Sequence, residues 1–167
     1  MGLGNLIVVD CEAWGGAPCV GKLTEFGAVH YETGKWFHGK IWEHRVNPDN
    51  PAQSLQPLNM VEYPDIVFTD FRDWLTELPD KRRPVFVSDN PAYDWQWIND
   101  GFWHTLSMNP FGHSARRIGD FYAGLMGSFS STQTWKNLRV TTHDHNPVHD
   151  AQGNVEALRR LLAGERP

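Results

Sequence analysis

The sequence predicts an α/β domain built on a mixed sheet. Three observations lead there. The run LIVVDC, Leu6 to Cys11, is continuously apolar up to its acid, as in a central strand covered on both faces. Two more strand-like segments follow it as a meander. The second half then alternates helical and strand patterns.

Taken in order, GGAP at Gly15 to Pro18 breaks the first strand with a loop. KLTEFGAVHY, Lys22 to Tyr31, alternates as a second strand. ETGK, Glu32 to Lys35, makes a hairpin turn, and WFHGKIWE, Trp36 to Glu43, returns as a third strand. The polar stretch from Arg45 to Pro64 predicts no regular structure. In TDFRDWLTEL, Thr69 is placed to cap a helix whose Phe71, Trp74, Leu75 and Leu78 share a face. PVFVS, Pro84 to Ser88, is a short buried strand. Asn90 caps a helix running to about Leu106. Asn109 to Ser114 is a loop, DFYAGLMG a short helix, and the segment from Ser131 to His145 a long connection. From Asn146 a last helix carries Ala151, Val155, Leu158 and Leu162 on one stripe.

The chain has 167 residues, a usual size for one domain, and a net charge of −5. That charge excludes a protein gripping long nucleic acid through its phosphates with a basic surface. Lys81 to Arg83, Arg116-Arg117 and Arg159-Arg160 are small basic clusters that read as solvated faces. No apolar run is long enough to span a membrane. The first residues show no basic region before an apolar one, so no signal peptide is expected. Cys11 and Cys19 are then expected as reduced thiols of a cytoplasmic protein. Eight Trp residues are a high number; most are expected in the core, and a few are available to stack on bases.

The chemistry lies in the acids. Asp10 and Glu12 end the first strand, and residues two apart point to one face. Two such carboxylates near a core are costly without a cation. Asn-Pro-x-x-Asp occurs at Asn90 to Asp94 and again at Asn146 to Asp150. Each reads as a capped helix start with Pro at its first position and an Asp in its first turn. Asp94 follows a strand, at the carboxyl edge where open α/β sheets bind ligands. Four acids are thus expected to meet at one rim, an oxygen-rich set suited to Mg²⁺ or Mn²⁺. Two such ions about 3.5–4 Å apart activate water and stabilise a leaving oxygen in phosphodiester cleavage. His145, just before the last helix, is placed to take a proton from that water. His143 and His149 share its segment. With Cys11 and Cys19 these histidines could instead form a zinc site, and spacing alone does not choose.

Asp10-x-Glu12, Asp94 after a strand, and His145-x-x-x-x-Asp150 together resemble the DEDDh 3′→5′ exonucleases, which include proofreading exonucleases, ribonuclease T and oligoribonuclease. LTEFGAV resembles the family's second strand and HNPVHDA its third motif. The resemblance runs from Leu6 to about Leu161. Within it, SDNPAYDWQWIND and NPFGHSARRIGDFYAGL most resemble a small bacterial and phage exoribonuclease branch.

The resemblance implies a ribonuclease H-like fold, a five-stranded mixed sheet flanked by helices, as a single 3′→5′ exonuclease domain over residues 1–167. It implies Asp10, Glu12 and Asp150 as ligands of two Mg²⁺ or Mn²⁺ ions, Asp94 as a ligand through water, and His145 as general base. Glu12 would also meet the terminal 3′-hydroxyl. Trp14 would stack on the terminal nucleotide, although the family more often has a small residue or Thr there. The implied activity is release of nucleoside 5′-monophosphates from single-stranded RNA or RNA overhangs by a homodimer. The alternatives are an exodeoxyribonuclease on the same site, an idle module that binds nucleic-acid ends, and the zinc protein.

Overall fold

A computed structural model describes residues 2–45 and 56–167. Its main sheet has the strand order β3-β2-β1-β6-β7, with β1 at Leu6–Trp14, β2 at Lys22–His30, β3 at Trp36–Lys40, β6 at Val85–Ser88 and β7 at Ala115–Arg117. β1, β2 and β3 form an antiparallel meander, whereas β6 and β7 add in parallel to the other edge of β1. β1 is the central strand, and its Ile7, Val8 and Val9 are wholly buried. That is why its sequence is apolar on both faces.

Four helices cover the sheet: α1 at Pro64–Glu77, α2 at Pro91–Leu106, α3 at Ile118–Met126 and α4 at Pro147–Leu162. On one face Ile7, Val9, Cys11 and Ala13 pack with Phe68 and Phe71 of α1 and Ile98 and Phe102 of α2. Each fully buried Phe there contributes about 1.5–3 kcal/mol. On the other face Val8, Val29 and Val87 meet Ile118 and Tyr122 of α3 and Ala151, Val155 and Leu158 of α4. Alternate residues of β1 therefore serve opposite layers.

Several boundaries differ from expectation. The predicted third strand divides at Ile41. Its end, β4 at Trp42–Arg45, leaves the main sheet and pairs with β5 at Gln56–Met60. β5 falls within the stretch read as irregular, and residues 46–55 of that stretch lie outside the described residues. α1 begins at Pro64, a favourable first helical position, well before Thr69. β7 uses Arg116 and Arg117, read from sequence as a solvated basic face. The connection before α4 contains a 3-10 helix, Thr134–Leu138, that buries Trp135 completely. On α4 the buried stripe continues through Leu161, and Leu162 is exposed.

Candidate active site

Asp10 and Glu12 lie on the α4 face at the carboxyl end of β1. A bulge follows Glu12, and the Thr24 hydroxyl donates to the Glu12 carbonyl at 2.6 Å. Asp150 comes down from the first turn of α4. Carboxylate oxygens of Asp10, Glu12 and Asp150 all lie within 4.8 Å of one another.

The helix start that delivers Asp150 is well made. Pro147 opens α4, the Asn146 side chain accepts from the Val148 N–H at 3.0 Å, and the Asn146 carbonyl accepts from the Asp150 N–H at 2.9 Å. The twin start at α2 is not equivalent. Asn90 occupies the cap position, but its side chain makes no capping hydrogen bond. The reason is backbone geometry: its ψ of 75° departs from the extended value at which a cap side chain reaches back to the helix N–H groups.

Asp94 enters from the opposite layer. It is buried, and its Oδ1 accepts from the Cys11 N–H at 3.1 Å. It stands outside the three-carboxylate cluster but close enough to Asp10 to repel it. Cys11 points away into the core between α1 and α2, its thiol pushed up by burial, and Cys19 is exposed.

The site is electrostatically loaded. Burial pushes Asp10 well above the usual carboxylate range. Repulsion from Asp94, Asp150 and Glu12 adds to this, and Arg139 opposes it. Burial also raises Glu12 against the pull of His145. Asp94 is pushed up by burial to about 7, with the Ser88 hydroxyl and the Cys11 and Asn90 backbone drawing it back. Asp150 is only 2% exposed, and its Oδ2 has the His143 Nδ1 at 2.6 Å. Three carboxylates converging at a largely buried site fit a divalent cation.

His145 stands above this cluster. Its side chain is 75% exposed, and its Nδ1 lies 3.4 Å from Glu12 Oε1. Its φ of 62° is left-handed, an uncommon conformation for a residue with a side chain. Trp14, at the end of β1, is 38% exposed. Its strand end is held by the Tyr93 hydroxyl, which donates to the Ala13 carbonyl at 3.4 Å, and the following loop by Gln96 Nε2 on the Gly16 carbonyl at 3.1 Å.

One group was given another role by the sequence reading, and one escaped it. His143 places its Nδ1 2.6 Å from Asp150 Oδ2, nearer to that acid than the preference for His145 implied. Arg139 is the cation behind the cluster: its Nη2 donates to Asn154 Oδ1 at 2.5 Å and lies 3.7 Å from Asp89 Oδ2. Its guanidinium sits 5.1 Å over the Trp135 ring. The only sequence signal for Arg139 is a basic residue just before the histidine-rich segment. His149 instead pairs with Asp144 at 2.9 Å, so the five residues of the zinc alternative are not brought together.

The fold and site define a class, a ribonuclease H-like sheet with a metal-fitting acid cluster at its carboxyl edge. No protein-family model matches the chain. The chain is 31% identical over 168 residues to a protein of Escherichia coli named 3′-5′ DNA exonuclease Cap18, an alignment covering 93% of this chain and 90% of the relative. It belongs to that family of 3′→5′ exonucleases. Among solved structures it resembles the zinc-bound complex of Escherichia coli exonuclease I with single-stranded DNA (TM-score 0.57, 14% identity, 94% of this chain). It also resembles exonuclease I of Methylocaldum szegediense (TM-score 0.59, 14% identity, 96% of this chain). The chain spans 39% and 41% of those two larger proteins, and the likeness establishes the shared fold.

Proposed function

We propose that this chain is a divalent-metal-dependent exonuclease that shortens single-stranded nucleic acid from the 3′ end, with DNA its favoured substrate. The observation that carries the reading is the cluster of Asp10, Glu12 and Asp150, with one oxygen of each within 4.8 Å of the others and Asp150 itself buried. Family membership supports the direction of cleavage, and the relative named a DNA exonuclease supports the sugar.

Asp10, Glu12 and Asp150 would hold Mg²⁺ or Mn²⁺, with Asp94 joining through water. Such ions, when bound, lower the pKa of water and neutralise the leaving oxygen. His145 removes a proton from the attacking water, a role worth about 10²–10⁴-fold in rate. The water oxygen bonds to the terminal phosphorus, and the 3′-oxygen of the preceding nucleotide departs, releasing a nucleoside 5′-monophosphate. Glu12 accepts from the terminal 3′-hydroxyl and Trp14 stacks on the terminal base. A homodimer completes the proposal on the resemblance alone, and sedimentation velocity reads it directly. Single-stranded RNA is the second reading, favoured by the resemblance of Ser88 to Asp100 and Asn109 to Leu125 to the exoribonuclease branch.

A gel time course with 5′-labelled DNA and RNA of one sequence tests this, run with Mg²⁺, Mn²⁺ or EDTA. The expected result is a metal-dependent ladder shortening from the 3′ end, faster on DNA and lost in Asp150→Ala. Faster loss of RNA selects the second reading. Intact substrate with every metal, from folded protein, overturns the enzyme and leaves a module that binds ends.

A further inference from the structure

The turn before α4 is built to present two histidines together. The Asp144 N–H donates to Asp150 Oδ1 at 3.3 Å, Asp144 Oδ1 accepts from the Asn146 N–H at 3.0 Å, and Asp144 Oδ2 meets His149 Nδ1 at 2.9 Å. Asp144 is thereby tied to the helix start. The residues on either side of it, His143 and His145, put their rings together with centroids 4.6 Å apart. One ligand atom from each ring and one from Asp150 all lie within 4.8 Å of one another.

We propose that His143, His145 and Asp150 form a binding site for a zinc-class divalent cation, whose occupation arrests cleavage. Two imidazole nitrogens and one carboxylate oxygen are the donors that Zn²⁺ takes in three-ligand sites, with water completing a tetrahedron. Mg²⁺ prefers oxygen alone and gives up its water reluctantly. The all-oxygen set of Asp10, Glu12 and Asp150 and this mixed set therefore select different ions.

Asp150 is 2% exposed, and its Oδ2 already pairs with His143 Nδ1 at 2.6 Å. Metal–ligand bonds of about 2.0–2.2 Å in a tetrahedron set neighbouring ligand atoms roughly 3.4 Å apart. A movement of less than about 1 Å by the His143 ring, whose side chain is 52% exposed, opens that space. Asp144 and His149 then hold the turn as second-layer supports, a role worth about 10–100-fold in metal affinity elsewhere. Zinc would occupy His145, the proposed base, and Asp150, the shared acid. Only this inhibitory consequence rests on the nuclease reading; the site itself does not.

Isothermal titration of the full chain with Zn²⁺ in excess Mg²⁺ tests the site without any cleavage assay. Wild type is expected to bind Zn²⁺ with both histidines required. His143→Gln and, separately, His145→Gln weaken it by roughly 10-fold or more, with far-UV circular dichroism unchanged. His113→Gln, which removes a histidine outside the turn, leaves it unaltered. Equal zinc affinity in wild type and both folded variants overturns the proposal, as does no zinc binding by wild type. In parallel, the zinc concentration that halves each protein's own Mg²⁺-supported rate should rise by a similar factor in His143→Gln. If no protein cleaves, the nuclease reading fails and the titration still decides the site.

Discussion

Gly27 stands opposite Asp10 in the β1–β2 register, and the start of α4 lies directly on it. A Cβ at residue 27 would collide with the Pro147 carbonyl and the Val148 nitrogen. The absence of a side chain at Gly27 is what lets α4 bring Asp150 down to the β1 acids. Gly27→Ala should lift that first turn. The expected cost is about 1–3 kcal/mol from overpacking, read as a lower urea midpoint, with roughly 10²-fold slower cleavage from misplaced ligands. An unchanged midpoint and rate would contradict this packing.

The two Asn-Pro starts give unequal mutants. Asn146→Ala removes a formed cap and should destabilise by about 1 kcal/mol. Asn90→Ala removes none and should change the thermal midpoint little. Equal losses would mean that Asn90 caps α2 in solution.

Asp94 sets a pH dependence. Its folded pKa of about 7 exceeds the unfolded value of about 3.9. The folded state thus binds the proton more tightly, and metal-free stability falls as pH rises from about 4 to about 7. The limiting slope is about 1.4 kcal/mol per pH unit from this one group, and the upward shifts of Asp10 and Glu12 have the same sign. Thermal midpoints in EDTA should decline across this window, and Asp94→Asn should flatten the decline. A midpoint in EDTA that climbs with pH would refute it.

Arg139 is the counter-charge within reach of Asp10. Arg139→Met deprives Asn154 Oδ1 of its donor and leaves the acids less compensated. A loss of about 1–3 kcal/mol is expected in EDTA, smaller when Mg²⁺ is added. Arg139→Lys keeps the charge but not the guanidinium geometry and should recover part of it. Urea melts with and without Mg²⁺ measure both effects.

The sequence made β1, the meander and the residues of the acid cluster legible because each is local. Apolar runs, turn residues and Asn-Pro pairs leave marks within a few positions. What it concealed depends on partners distant in the chain. Gln56–Met60 contains Pro and Asn and is poor strand sequence, yet β4 pairs with it. Ala115–Arg117 is too short to show a period and becomes a strand by lying beside β6. The nearness of His143 to Asp150 depends on a turn in which His145 takes a positive φ, and nothing in the residue spacing encodes that angle.

Chain order gives the proposed nuclease a safeguard. Asp10 and Glu12 belong to the first strand, Asp94 to the middle of the chain, and Asp150 to α4, which follows every other element. A chain made only as far as β7 would carry Asp10, Glu12 and Asp94 without Asp150, an incomplete set for the proposed site. On the proposed reading the site would close only when α4 docks over Gly27, so maturation of the fold would act as its safety catch.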